Sequence, residues 1–232
     1  MKILAIDSSG LTATVALLQD ELVIAEYSVN YKKTHSQTLV PMLDEIRKMT
    51  DLDLASVDAI AVAKGPGSFT GLRIGSATVK GLGLALDKPV IPVGTVDALS
   101  YNGWGYPGLV CPIMDARRQQ VYTGIYRFTK DKWEIVKEQC AISVAELVEI
   151  LNGMEGPVLF LGDACPVYAE EIRAGMKTEY EFAPPHMSRQ RAAALGVLAM
   201  EYYRMGRIET ADAHRPEYLR KSQAERMRDE AE

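Results

Sequence analysis

Apolar positions along this chain fall into short runs divided by turns, and the run from Val57 to Ala63 sets the pattern. Its length and β-branched content are those of a buried strand. After the break Gly65-Pro66-Gly67, the proline-free residues 70–86 read as a helix. Upstream, residues 2–7 form a strand that ends in Asp7-Ser8-Ser9-Gly10, and 12–18 and 21–27 complete a three-stranded meander. Leu39, Met42, Leu43, Ile46 and Met49 then recur at helical spacing over 38–50, with Thr38 as the expected cap and Pro41 in the first turn, where no N–H needs a partner. A strand at 89–93 follows the glycine-rich helix.

The second half repeats the order. Residues 109–115 are an apolar run ending in Asp115, and 119–128 and 133–141 are further strands. A helix over 143–151 carries Ser143 as cap and Glu146 at the capping-box position. A strand at 157–161 and a helix at 167–174 come next, and an Ala/Leu-rich helix over 188–205 is placed to bridge the halves. The pattern is therefore α/β, βββαβα twice, with an Asp closing the first strand of each meander. The division falls into lobes 1–104 and 105–232.

Composition narrows the class. The chain has 232 residues, 47% hydrophobic and 25% charged, as in a soluble globular protein, with no apolar run near the ~18 residues of a membrane span. Charge enters by Lys2 and Asp7, too early for a secretory core. Three cysteines (Cys111, Cys140, Cys165) with no C-x-x-C fit buried thiols in a reducing cytoplasm. The net charge of −5 argues against direct nucleic-acid binding. Arg and Lys in residues 215–228 are interleaved with Glu and Asp, which reads as a solvated helix face.

The candidate chemistry is sparse. Gly65, Gly67 and Gly71 are spaced one residue too long for a dinucleotide fingerprint, no Gly-Lys-Ser/Thr follows, and Ser68 lacks a hydrolase frame. A tight turn with a Ser or Thr cap is the stronger reading. Gly71, Gly75, Gly81 and Gly83 cost the helix about 1 kcal/mol each, so another backbone must come close, from this chain's own sheet or from another chain. His35, His186 and His214 are far apart and form no H-E-x-x-H. Asp7, Ser8, Ser9 and Asp115 are the candidate remnants of a nucleotide site. The Asp115-Ala-Arg-Arg118 turn has no glycine to let a backbone approach phosphate, and the tasks of Arg73, Arg117 and Arg118 stay open.

Two βββαβα lobes with an Asp after each first strand resemble the actin, sugar-kinase and Hsp70 ATPase (ASKHA) fold. More specifically, Ile3-Leu-Ala-Ile-Asp-Ser-Ser9, His35-Ser36 with Leu39, the block from Gly65 to Gly75, Met114-Asp-Ala-Arg-Arg118 and Pro216-Glu-Tyr-Leu-Arg220 resemble the TsaB (YeaZ) family over nearly the whole length. The resemblance implies a non-catalytic cytoplasmic subunit of the bacterial machinery that places threonylcarbamoyl on the adenosine next to the anticodon. It implies pairing with a TsaD-like catalytic subunit, support from a TsaE-like ATPase, a homodimer when alone, and tRNA met only through the complex. No cofactor or metal is required by this chain, ATP and Mg being held by the partners. The catalytic relative's metal-binding histidine pair aligns with Thr95 and Leu99, neither of which suits a metal.

By the same resemblance the partner surface is the first helix with the glycine-rich one: Leu39, Met42, Leu43, Ile46, Gly71, Leu72, Gly75, Val79 and Leu82. Periodicity alone leaves open whether these stripes cover the chain's own sheet. Val40 and Ile74, off the stripes, argue for surface left for a partner. The rival expectation is an ATP-dependent phosphotransferase of the sugar or acetate kinase type, using Asp7 and Asp115.

Overall fold

The computed structural model describes residues 1–130 and 132–220. The first lobe opens with strands β1 (Lys2–Asp7), β2 (Ala13–Gln19) and β3 (Leu22–Val29) and helix α1 (His35–Met49). It continues through β4 (Ala59–Gly65), α2 (Phe69–Leu86), β5 (Val90–Gly94) and α3 (Thr95–Ser100). The second repeats the order with β6 (Leu109–Asp115), β7 (Gln120–Thr129), β8 (Lys132–Ser143), α4 (Val144–Asn152), β9 (Val158–Leu161), α5 (Cys165–Gly175), β10 (Tyr180–Phe182) and α6 (Ala192–Arg204). Strand orders are β3-β2-β1-β4-β5 and β8-β7-β6-β9-β10, so the two sheets have the same topology. In each, the first three strands are antiparallel and the last two join in parallel.

Strand composition follows from burial on both faces. On β1, Ile3 and Ala5 point into a core shared with α3, α6 and the second sheet, while Leu4 and Ile6 point into a core under α1 and α2. A third core lies between the second sheet and α4 and α5. Strands covered on both sides read as continuous apolar runs, which is why these were legible. The inner face of the first sheet is unusually small-sided, with Ala5, Ala16, Ala59, Ala61 and Ala63, and α6 packs there closely enough that Leu18 fills the space beside Gly196. Thus α6, expected to bridge the halves, follows the second sheet in the chain but covers the first.

Several boundaries moved for physical reasons. Helix α1 begins at His35 instead of Thr38, with Thr34 as a cap whose hydroxyl meets the Ser36 hydroxyl and accepts from no helix N–H. Pro41 therefore sits in the second turn and leaves the Gln37 carbonyl without its helical donor. The early start goes with an anchor: His35 Nε2 donates to the Gly10 carbonyl at 2.9 Å. Helix α6 starts at Ala192, since Ser188 donates its hydroxyl to the Ala183 carbonyl, residues 185–189 form turns and bends, and Arg191 is extended. The Ser143 cap is as expected, its Oγ accepting from the Glu146 N–H at 3.1 Å.

Residues 215–220, within the segment 210–220, are not the solvated helix face expected over 215–228; the rest of that stretch, 221–228, lies outside the described residues. The segment starts with a bridge from Glu209 to Val90 and runs beside α2 as a strap. Lys80 Nζ donates to the carbonyls of Asp212 and His214, the Glu217 N–H donates to the Lys64 carbonyl, and Arg220 reaches the Ala116 carbonyl of the second lobe. Gly65 has φ +125°, and a Cβ there would lie 2.1 Å from the Glu217 carbonyl oxygen, so only glycine lets the strap close. Cys111 and Cys165 are buried and Cys140 half-buried, all three unpaired.

Candidate functional site

The first candidate is the cleft between the lobes, about 630 Å³, where the β1–β2 turn and the start of α2 face the β6–β7 turn. Of the four candidate remnants, Ser9 and Asp115 line it, while Asp7 and Ser8 do not. Asp7 is 1% exposed, and its Oδ1 accepts from both the N–H and the hydroxyl of Ser9, at 2.8 and 2.6 Å. Ser8 donates its hydroxyl to the Gly71 carbonyl at 2.8 Å, and the Ser9 carbonyl accepts from the Ser68 N–H. The turn that resembles a phosphate hairpin has thus spent these polar groups on itself and on the start of the chain's own α2. Gly71 and Gly75 meet this turn, where added Cβ atoms would lie 2.1 Å from the Ser8 carbonyl oxygen and 2.5 Å from its hydroxyl.

Asp115 across the cleft is equally engaged. Its Oδ1 accepts from the Arg117 N–H and the Tyr168 hydroxyl, and its Oδ2 pairs with the Arg117 guanidinium at 3.2 Å. Arg117, Arg118 and Gln119 all have positive φ, a left-handed turn in place of the glycine a phosphate hairpin uses. Asp163 also lines the cleft, accepting from the Asp115 N–H at 3.1 Å. Sequence reasoning passed over it, although Gly162-Asp163 closes β9 as Asp115 closes β6. Arg73 lies over the Phe69 ring at 3.9 Å and donates to the Tyr218 hydroxyl, so it serves the strap.

Burial raises the Asp7 carboxyl above its ordinary 3.8, against the opposing hydrogen bonds from Ser9. A raised carboxyl contributes stability below 3.8 and loses it as pH rises through the folded value. At neutral pH the carboxyl is ionised in the unfolded chain and burial disfavours that charge in the fold, so Asp7 costs stability there. Asp7→Asn is expected to melt higher than the parent at pH 7, with the gain shrinking toward pH 3.8; a lower melting temperature at pH 7 would show that the charge is needed structurally.

The second candidate is an apolar groove of about 390 Å³ between α1 and α2. Leu39, Met42, Ile46, Leu72 and Val79 of the expected partner surface are buried under their own helices, and Gly71 and Gly75 against the β1–β2 turn. Helical periodicity marks the face that meets the sheet, so most of that set is core. Leu43 and Leu82 line the groove, joined by Val40, 59% exposed, and by Leu52, Ala77 and Gly81. Beside it Asp44 pairs with Lys48 and Arg47, whose hydrogen bonds hold its carboxyl below the ordinary value. Gly83 abuts Ala211 and the Lys88 carbonyl, whereas a Cβ on Gly81 would meet nothing within 4 Å.

Thr95 and Leu99 are both buried on α3, Leu99 in the central core, and a hydroxyl beside an aliphatic chain offers no metal a ligand pair.

A family model described as tRNA N6-adenosine threonylcarbamoyltransferase, TsaD, matches residues 23–227. The tRNA threonylcarbamoyladenosine biosynthesis protein TsaB of Bacillus subtilis is 37% identical over 227 residues, 97% of this chain and 96% of that one. The structure of YeaZ from Pseudomonas aeruginosa superposes with a TM-score of 0.79 at 25% identity, covering 94% of this chain and 99% of that one. An inorganic polyphosphate/ATP-glucomannokinase from Arthrobacter superposes with a TM-score of 0.51 at 14% identity over 88% of this chain and 99% of that one, a likeness of fold alone.

Proposed function

The chain belongs to the TsaB (YeaZ) family, with the two-lobed α/β fold of the sugar-kinase and actin-like ATPases, and from that premise we propose that it acts in tRNA threonylcarbamoyladenosine synthesis as a non-catalytic docking subunit. Its partner is a TsaD-like catalytic subunit, which carries the nucleotide and metal, and a TsaE-like ATPase joins at their junction. Alone, the chain pairs with a second copy of itself. The tRNA reaches it only through the complex, in the cytoplasm.

The observation that carries this reading is Gly81. A helix-interior glycine costs about 1 kcal/mol relative to alanine, and the other glycines of α2 are each accounted for by a close internal contact. Gly81 has none and lies in an apolar groove, as expected if another helix approaches closely there. The cleft supports the same reading from the other side, since Asp7 and Asp115 are committed to internal hydrogen bonds. The rival phosphotransferase needs them for metal and phosphate.

The test is threonylcarbamoyl transfer to tRNA by the TsaD-like subunit, with and without this chain, beside calorimetry of the isolated chain with Mg-ATP. The expected result is transfer that depends on this chain and no Asp7-dependent ATP binding by it. Micromolar Mg-ATP binding abolished by Asp7→Ala would favour the phosphotransferase.

A further inference from the structure

Apart from the cleft and the groove, a third cavity of about 600 Å³ lies where the edge strand β5 of the first sheet meets the edge strand β8 of the second, closed by the end of α6 and the strap. Asp97, on α3, lines it and is 8% exposed. Its Oδ1 accepts from the Tyr126 hydroxyl at 2.7 Å, and among the described residues its Oδ2 receives no hydrogen bond. Gln139 of β8 lines the same cavity; its Oε1 is buried without a partner, while its Nε2 donates to the Gly65 carbonyl. The two free acceptors converge on Gly94. A Cβ there would lie 2.2 Å from Asp97 Oδ2 and 3.0 Å from Gln139 Oε1, so only glycine lets both acceptors pack against this backbone at the cavity wall.

Gln139 Oε1 is a buried acceptor left unmade, which is costly, and with Asp97 Oδ2 beside it free of hydrogen bonds the pair calls for a donor between them. The cations of the wall are already used. Lys64 Nζ pairs with Glu217 Oε2 at 2.6 Å, and the Arg207 guanidinium lies over the Tyr202 ring at 4.9 Å. Glu138 adds negative charge that raises the Asp97 carboxyl further, after burial as the main cause. The demand is for a positive group with several N–H donors. A metal ion fits poorly, because among the described residues no three His, Cys, Asp or Glu side chains could surround one.

We propose that this cavity binds the ammonium end of a small alkylamine, one N–H on Asp97 Oδ2 and another on Gln139 Oε1. The inference is independent of the docking reading, since the cavity lies apart from the α1/α2 groove. An ammonium there satisfies both acceptors and balances the carboxylate through charge-assisted hydrogen bonds.

The experiment is calorimetry of the full chain at constant ionic strength with cadaverine, spermidine and Nα-acetyl-lysine amide, with potassium chloride as the blank. Saturable one-to-one binding of an amine is expected. Asp97→Asn, which keeps an oxygen for Tyr126 and removes a carboxyl that burial raises, is expected to weaken it at least about tenfold with a melting temperature no lower than the parent's. Gln139→Met, on the half-exposed edge strand, is expected to weaken it severalfold and is the check if Asp97→Asn melts lower. Binding of the lysine derivative as tight as cadaverine assigns the amine to a protein side chain, and binding of the free amines alone assigns it to a small molecule. No saturable binding of any amine, or equal binding by folded variants, overturns the proposal.

Discussion

If the chain docks as proposed, a variant carrying Leu43→Glu and Leu82→Glu is expected to elute as a monomer and to lose the proposed TsaD-like partner, with affinity down at least about a hundredfold, close to 3 kcal/mol. Both leucines are only partly buried in the chain and face the groove between α1 and α2. In the free monomer a glutamate at either position can turn into water, so the fold should hold and the melting temperature should change little. In a complex the same carboxylates would be shut into an apolar contact without partners, and an unpaired buried charge outweighs what one leucine contributes. Leu22→Glu is the matching control, because Leu22 is 65% exposed on β3 and does not line the groove. Size-exclusion chromatography with the partner, beside a thermal melt, separates the outcomes. Undiminished association by a folded double variant would remove the groove from the interface.

That pair emerges because the structure divides a set the sequence could not. Spacing identified α1 and α2 and their apolar stripes, since Leu39, Met42 and Ile46 recur every three or four residues. But a helix lying on a sheet shows its strongest periodicity on the side it buries. The face left open to the groove consists of residues at the margin of the stripe, Val40, Leu43 and Leu82, and of a glycine that scores as nothing in a hydrophobic pattern. The duplicated topology was legible for a related reason: strands covered on both faces are continuous apolar runs ending at Asp7 and Asp115. Helix α3 and strand β10 were not, being six and three residues long, too short for either period to appear.

The cleft shows the same limit. Asp7 and Asp115 stand at the ends of β1 and β6, but only Asp115 lines the cleft, and hydrogen-bond partners, which decide what a motif can do, are set by residues far away in sequence. Ser8 meets Gly71, Asp115 meets Tyr168 and Asp163, and the strap crosses from Lys64 to Ala116. None of these pairings has a local signature.

Two alanine substitutions ten residues apart on α2 should move stability in opposite directions. At Gly71 a methyl group would lie 2.1 Å from the Ser8 carbonyl oxygen, which is backbone and tied by the hydrogen bonds that hold the β1–β2 turn. Overpacking of this kind costs about 2–3 kcal/mol even after the helix-propensity gain, or about 5–10 °C of melting temperature for a chain this size. At Gly81 the methyl group meets nothing within 4 Å, so Gly81→Ala is expected to gain about 1 kcal/mol, some 2–4 °C. The same methyl group would stand in the groove and hold a partner helix away, so the more stable monomer should associate more weakly. Thermal melts of both variants and partner titration of Gly81→Ala measure the two effects. Gly81→Ala that both melts higher and associates undiminished would mean that no backbone comes close at that position.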